Sequence, residues 1–527
     1  METLQDLVDV DRPEIASSNR IAVVDPSGEL SYAELADQVA RLAGLLRTLN
    51  VAVGDRVGIS VETSVQSMVA CHGVLRAGAV VVPIDPRAPV ALVSKIIEDT
   101  QIEVLITDAP PKTLERRLDA MNLAHVVSVA ELERAGATNW SALFDHDQAP
   151  VQNVRPDDVA YIIFTSGSTG RPKGISHTHA SGLAYARLAT TTYELGPNDR
   201  IAQPAAMHFD QSTLGLYTAP YAGATTVMIP EGLLAFPASV AKFAAEQRTT
   251  IWYSVPTLIM RLVQSGGLGG HDLSAMRWVK FGGEVFPPGQ LHAAMHAIPA
   301  RYSNVYGPAE VNQCTFFHLD QAPTNDEPIP IGRAWEETEV AIVDAGGHSR
   351  QVVPPGEQGE LVVRSSTAMQ GYWHQPDLTE AAWCQVPELD NQNTGRWYAT
   401  GDLCVQRHDG EIIFLGRMDN QVKVRGYRVE IEAIESALLE GQAVAGAAVV
   451  VEHDENGTTR LVALLEGDPA DPLVLKRSLK ATLPAHAVPD DIVWVDALPR
   501  TGTGKVDRLA AAERRGAPGR TPGPSQK

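Results

Sequence analysis

The segment TSGSTGRPKG, residues 165–174, combines four hydroxyl side chains and three glycines with a lysine. Hydroxyls and exposed backbone N–H groups are donors that bind phosphate oxygens, so this composition indicates a phosphate-binding loop. A Walker A loop needs a lysine directly after its second glycine, followed by Ser or Thr. Here two residues separate Gly170 from Lys173, and Gly174 follows the lysine. The sequence therefore excludes a Walker-type kinase or GTPase, and the apolar segment AYIIFT before the loop disfavours a plain Gly/Ser linker.

Six further segments carry polar or glycine-rich signatures. They are LSYAEL (30–35), LRAGAVVVPIDP (75–86), NVYGPAE (304–310), YATGDL (398–403), GRMDNQVKVRGYRVE (416–430) and LPRTGTGK (498–505). Together with the loop, they resemble the motifs of the adenylate-forming superfamily, which includes acyl-CoA synthetases, luciferases and the adenylation domains of nonribosomal peptide synthetases. The motifs occur in the family's order and cover nearly the whole chain. The resemblance is closest to freestanding amino acid adenylation enzymes.

The resemblance implies ATP and Mg²⁺ as cofactors and attack of a substrate carboxylate on the α-phosphorus. Because two anions must approach each other, such a site has to neutralise charge and orient the attacking oxygen. Catalysis is assigned to Lys505, Thr165 and Glu310, with Lys505 as a point charge between carboxylate and α-phosphate and Glu310 as the metal ligand. The residues implied to bind the nucleotide are Thr165, Ser166, Gly167, Ser168, Thr169, Gly170, Lys173, Gly283, Glu284, Asn304, Tyr306, Gly307, Asp402, Phe414 and Arg417.

Five members of this set have particular implied roles. Asn304 and Tyr306 would flank the adenine. Asp402 would bind the ribose hydroxyls, while Phe414 and Arg417 would close over the nucleotide. A lone Asp or Arg in a loop is more often a solvated or capping residue, but its place within a complete motif favours the functional interpretation.

The segment HFDQST, residues 208–213, is the most informative for the substrate. By resemblance, an Asp after this Phe binds the ammonium group of an amino acid, whereas fatty-acyl and acetyl enzymes lack that carboxylate. Asp210 occupies the position. A buried anion needs a partner, so a cationic ligand is expected, and a structural salt bridge is the alternative.

The specificity pocket implied by the resemblance aligns with ten residues. They are Phe209, Asp210, Gln211, Leu214, Ser254, Lys280, Gly282, Val305, Gln313 and Cys314. Gln211 is bulkier than usual beside the Asp, as in enzymes for β-amino acids. Lys280 either pairs with an acidic side chain or extends outward to solvent. The pocket is interpreted as small and polar, which favours alanine, serine, glycine or a short β-amino acid.

The acceptor of the activated group is expected to be the phosphopantetheine thiol of a separate carrier protein. The segment GLGGHDLS (267–274) resembles a carrier motif, but Asp272 replaces the serine, so a surface turn is expected. An acyl-CoA ligase that uses CoA is the alternative enzyme, and Asp210 weighs against it. A catalytically inactive, ligand-sensing relative is disfavoured by Lys505, Glu310 and the phosphate loop.

Helical and strand patterns alternate through the first part of the chain and predict an α/β protein with helix-covered parallel sheets. After about residue 335 short strands predict a β-rich subdomain. The predicted domains are a large adenylation domain (1–418) and a small, mobile C-terminal α+β domain (419–510), followed by a disordered tail (511–527). Asp419, in GRMD, is the implied hinge between two catalytic conformations.

The composition excludes several other classes of protein. A net charge of −21 argues against nucleic-acid binding. Four cysteines, far apart and without a CxxC pair, indicate neither a zinc site nor a disulfide framework. The acidic N-terminus does not resemble a signal peptide, and no stretch approaches the roughly 18 apolar residues of a membrane span. A cytoplasmic protein that binds no membrane is expected.

Overall fold

The structure is a computed structural model in which two compact units are distinguished. The first unit ends at Asp419, and the second consists chiefly of the residues after it. The residues described are 1–109, 123–130, 136–165, 172–344, 346–390, 396–419, 421–424, 426–440, 444–453, 459–500, 506, 508 and 510–512. The expected tail lies almost entirely outside these residues.

The first unit contains two large sheets in which the central strands are parallel. The nine-stranded sheet has the spatial order Arg333–Ala334, Thr315–Leu319, Arg301–Tyr306, Trp278–Gly282, Ile251–Ser254, Arg200–Gln203, Thr225–Met228, Ile21–Asp25 and Gly28–Ser31. The eight-stranded sheet has the order Gly371–Tyr372, Lys173–Thr178, Val159–Thr165, Val80–Pro83, Arg56–Ser60, Val104–Thr107, His125–Ser128 and Ala137–Asn139. Parallel strands need long crossover connections, which explains the alternation of helix and strand in the sequence.

Helices provide most of those connections. The described α-helices of this part of the chain are Pro13–Ala16, Tyr32–Thr48, Val65–Arg76, Val90–Thr100, His179–Thr192, Ala219–Ala222, Glu231–Leu234, Pro237–Glu246, Pro256–Gln264, Pro288–Ala297 and Pro376–Ala381. Shorter turns of 3₁₀ or π geometry are Leu4–Val8, Trp140–Asp145, Asp210–Ser212 and Leu214–Thr218. The helix Tyr32–Thr48 begins with a capping box, in which Ser31 Oγ accepts from the Glu34 N–H and Glu34 in turn accepts from the Ser31 N–H.

The expected β-rich subdomain is an antiparallel sheet. Its strands follow the order Thr338–Val343, Gln358–Ser365, Trp397–Gln406 and Trp383–Cys384, with Ile412–Arg417 also paired to Trp397–Gln406. Asp402 and Arg417 are direct partners in this register. The antiparallel pairing therefore places one side chain of the YATGDL motif beside one of the GRMD motif.

The second unit is small and mixes helices with an antiparallel hairpin and a mixed three-stranded sheet. It has a hairpin of Gln421–Val424 and Tyr427–Glu430, a sheet of Val444–His453, Thr459–Gly467 and Asp491–Trp494, the helices Ile431–Leu439 and Pro472–Thr482, and a turn at Ala485–Ala487. Its own core includes Ile434, Val449 and Leu461. The mixed α/β fold class predicted from the sequence is confirmed.

Candidate active site

Two paired strands flank the predicted phosphate loop in the sequence. Thr165 ends the strand Val159–Thr165 and pairs with Lys173, the first residue of Lys173–Thr178. The imidazole of His177 stacks on Tyr161 at 4.9 Å between ring centroids, and its Nε2–H donates to Ala309 O at 2.9 Å. Loop residues Ser166–Gly170 lie outside the described part of the chain, and so does Lys505.

Asp402 is the centre of a hydrogen-bonded cluster in the first unit. Its side chain is buried, and one carboxylate oxygen accepts from Arg417 Nη1 at 2.7 Å while the other accepts from the Tyr306 hydroxyl. Arg417 also donates to Thr400 O at 2.8 Å and, through Nε, to Asp419 at 2.8 Å. The structure thus brings together predicted nucleotide-binding side chains from three separate motifs.

Other members of the predicted nucleotide set make contacts of their own. Phe414 lies 6.4 Å from Tyr306, measured between ring centroids. Asn304 Nδ2 donates to Pro330 O at 2.8 Å. Gly307 allows a close backbone approach, because a Cβ there would lie 1.8 Å from Asn312 O. Glu284, after the left-handed Gly283 (φ +87°), accepts from the Thr257 hydroxyl at 2.6 Å.

Glu310 is buried just beyond the end of the strand Arg301–Tyr306. Its Oε1 accepts from the Tyr372 hydroxyl at 2.8 Å. The described residues contain no group of three or more His, Cys, Asp or Glu side chains that could hold a metal. Mg²⁺ commonly binds through one or two carboxylates plus substrate phosphates, so a single buried carboxylate fits this ion.

Asp210 lies among buried tyrosines. It begins the turn Asp210–Ser212, where Oδ1 accepts from the Gln211 N–H at 2.9 Å. Burial raises the pKa of Tyr161, Tyr185 and Tyr253, and the negative charge of Asp210 raises each of them further. The carboxylate therefore lies within electrostatic reach of all three phenols.

Lys280 does not extend to solvent, so that alternative is wrong. Its side chain is 0% exposed, and Nζ lies 4.2 Å from the Tyr193 ring centroid and 4.6 Å from that of Tyr253. Burial lowers the pKa of Lys280 well below its ordinary value. Gln313 is also buried, and its Nε2 donates to the Tyr193 hydroxyl at 3.4 Å.

The remaining pocket residues lie on the same group of strands and turns. Leu214, Val305 and Cys314 are buried. Ser254 Oγ accepts from Trp252 Nε1 at 2.8 Å, and Gln211 Nε2 reaches Gly282 O at 3.4 Å. Phe209 is half-buried, with its ring centroid 4.4 Å from that of His208.

The sequence did not reveal the tyrosines of this site. Tyr193 follows the helix His179–Thr192, and Tyr253 precedes Ser254 on its strand. Both belong to one apolar cluster with Leu214 and Val305. The signal in the sequence was the alternation of side chains along the short strand Ile251–Ser254. Because that strand is buried throughout, the alternation does not show that Tyr253 faces the site.

Two expectations from the composition concern the cysteines and membrane-spanning segments. All four cysteines are described and buried, and none of them forms a disulfide. Among the described residues, no helix has the length and apolar character needed to cross a membrane. The segment 267–274 contains an exposed turn in which Asp272 accepts from the Ser274 N–H at 3.0 Å.

Known proteins resemble this chain in sequence. The sequence matches AMP-binding enzymes over residues 14–373 and the AMP-binding enzyme C-terminal domain over residues 433–505. It is 36% identical to an L-proline–[L-prolyl-carrier protein] ligase of Pseudomonas fluorescens, over 94% of this chain and 96% of the relative. The corresponding Streptomyces coelicolor ligase is 32% identical, with 91% of each chain covered.

The fold is shared with solved structures. The amide bond synthetase McbA of Marinactinospora thermotolerans superposes with a TM-score of 0.83 at 24% identity, covering 97% of this chain and 99% of that one. The chain therefore belongs to the AMP-binding enzyme family and is an ATP-dependent, AMP-forming acid–thiol ligase.

Proposed function

We propose that this enzyme activates an amino acid as its adenylate and transfers the aminoacyl group to the phosphopantetheine thiol of a carrier protein. The observation that carries the proposal is Asp210, a carboxylate among buried tyrosines at the position expected to hold a substrate ammonium. The named relatives are amino acid–carrier protein ligases, which supports the same acceptor.

The nucleotide would bind beside the Asp402 cluster. Tyr306 and Phe414 would enclose the adenine, and the Asp402 carboxylate, already oriented by Arg417, would accept hydrogen bonds from the ribose hydroxyls. Glu310 would hold Mg²⁺, which supplies charge neutralisation at the phosphates when bound.

The adenylation step would depend on orientation. Asp210 would fix the ammonium end of the substrate and thereby direct its carboxylate toward the α-phosphorus. Lys505 would stabilise the charge that develops between these groups, with Thr165 and the loop after it binding the departing pyrophosphate.

The second half-reaction would use a different conformation. Asp419, the last residue of the first unit, is paired with Arg417 and is the proposed hinge. A rotation at this point would replace Lys505 by other groups of the small domain while leaving the adenylate on the large one. The proposed small domain comprises residues 419–510.

The identity of the amino acid is less constrained. The names of the relatives specify proline and give no support to the expected preference for a small or polar amino acid. Proline therefore joins alanine, serine, glycine and short β-amino acids as a candidate substrate.

The test is pyrophosphate release with ATP and Mg²⁺ across amino acids and simple fatty acids, in wild type and Asp210→Asn. The loss of a charged partner should raise the KM for the amino acid by at least about 100-fold, with the KM for ATP nearly unchanged. Asp272→Asn, on an exposed turn, is the control and should match wild type. Unchanged amino acid use in Asp210→Asn, or turnover of fatty acids alone, would overturn the proposal.

A further inference from the structure

Lys280 lies at the centre of the nine-stranded sheet, where a lysine is unusual. It faces Tyr253 on one neighbouring strand and Ser303 on the other in the sheet register. Its side chain is completely buried, and among the described residues its Nζ has no hydrogen-bond partner. A buried ammonium without an acceptor destabilises the folded protein, so the sequence retains a costly group at this position.

The two tyrosine rings compensate for only part of that cost. Nζ lies over the faces of Tyr193 and Tyr253, where cation–π attraction stabilises a positive charge. The rings provide no acceptor for its three N–H groups. The Ser303 hydroxyl is already shared with Tyr193 and His318, at 3.1 and 3.2 Å. The surroundings thus stabilise a cation but leave its hydrogen-bonding capacity unused.

Gln313 supplies a second unused polar group at the same tyrosine. Its Nε2 donates to the Tyr193 hydroxyl, while its Oε1 is buried without a partner among the described residues. A half-turn of the amide lets Oε1 accept from that hydroxyl and frees Nε2 to donate. Lys280 and Gln313 then offer donors beside one ring, as a bound carboxylate requires.

The charge of Lys280 is not balanced by Asp210. Burial is the cause that lowers the pKa of Lys280, whereas Asp210 acts on Tyr253 and Tyr185. Lys280 Nζ lies 4.6 Å from the Tyr253 ring centroid, and the negative charge of Asp210 raises the pKa of the same tyrosine. A ligand that carries an ammonium group at one end and a carboxylate on its side chain complements both.

We propose that Lys280 binds the anionic side chain of the substrate, and that the enzyme activates an acidic amino acid such as aspartate, glutamate or a close homologue. This inference rests on the proposed function, since it takes Asp210 as the site of the substrate ammonium. A proline ring or a small neutral side chain would leave the Lys280 donors without an acceptor. The proposal therefore distinguishes this chain from the relatives whose names specify proline.

The first test compares acids with their isosteric amides in the wild-type enzyme. Pyrophosphate release is measured with aspartate, asparagine, glutamate, glutamine, proline and alanine. A site built to bind a charged group discriminates strongly against an analogue without it, so kcat/KM should be at least about 100-fold higher for one acid than for its amide. Equal use of acid and amide, or a preference for proline or alanine, would overturn the inference.

The second test replaces the lysine. Lys280→Met keeps an unbranched side chain, one atom shorter, and removes its charge, and should abolish the preference for the acid without lowering the thermal midpoint measured in the absence of substrate. The exposed Lys242, replaced by Met, is the matched control and should keep the preference. An acid preference that survives in Lys280→Met would contradict the assignment.

The two proposals fail in different ways. A wild-type preference for a neutral amino acid overturns the acidic specificity and leaves amino acid activation intact. Turnover of carboxylic acids that lack an amino group overturns both. Because the wild-type panel needs no variant, the acidic specificity stays testable even if Lys280→Met does not fold.

Discussion

The Asp402 cluster allows a paired experiment, because Arg417 contacts two carboxylates in different environments. Asp402 has a side chain that is 5% exposed, and Asp419 one that is 44% exposed. Asp402→Asn and Asp419→Asn are the two matched changes, and each neutralises one carboxylate that is paired with the Arg417 guanidinium.

The expected magnitudes differ because of burial. Removing one partner of a buried ion pair costs about 3 kcal/mol, which corresponds to roughly a 150-fold change in an equilibrium constant. The exposed pair with Asp419 should contribute less than about 1 kcal/mol. Asp402→Asn should therefore lower the thermal midpoint clearly, whereas Asp419→Asn should leave it nearly unchanged.

A ribose-specific measurement separates binding from stability. The ratio of kcat/KM for ATP to that for 2′-deoxy-ATP and 3′-deoxy-ATP is measured in pyrophosphate exchange at a temperature where each variant is folded. Wild type and Asp419→Asn should prefer ATP, and Asp402→Asn should lose most of that preference. If Asp402→Asn keeps both the ribose preference and the wild-type thermal midpoint, the assignment of Asp402 is refuted.

Three further predictions follow from single residues. Gly307→Ala should destabilise the fold by about 1 to 3 kcal/mol, because its Cβ would meet Asn312 O, whereas Gly289→Ala, with open space around it, should not; thermal unfolding compares them. Burial lowers the pKa of His72 to about 4, so the stability that the neutral imidazole contributes is complete above pH 6.5 and is lost as the pH falls toward 4. His72→Gln should therefore reduce the fall of the thermal midpoint with decreasing pH. A fall equal to that of the wild type would contradict this. Glu310→Gln should raise the Mg²⁺ concentration for half-maximal adenylation at least about tenfold, and an unchanged titration would remove its metal role.

Much of the fold could be predicted because local signals agreed with the global structure. The alternation of helical and strand patterns along the sequence predicted the parallel sheets. The Asp210 position also follows from a short motif. These features depend on residues close together in the sequence, where propensity and hydrogen bonding act directly.

The surroundings of Lys280 could not be predicted in the same way. The strand Trp278–Gly282 is buried along its whole length, so alternation of polar and apolar residues does not tell which side faces the pocket. Tyr193 reaches Lys280 only through the packing of a helix end against this sheet. Contacts of this kind depend on the tertiary fold, and the sequence left inward and outward orientations of Lys280 both open.

The most direct test of the proposed ligase activity is the intact mass of a phosphopantetheine-bearing carrier protein after incubation with the enzyme, ATP, Mg²⁺ and the amino acid that supports pyrophosphate release. We expect the mass of the carrier to increase by the mass of that amino acid less one water. This increase should be absent with Asp210→Asn and when ATP is omitted. A carrier of unchanged mass together with formation of an acyl-CoA in the presence of CoA would contradict it.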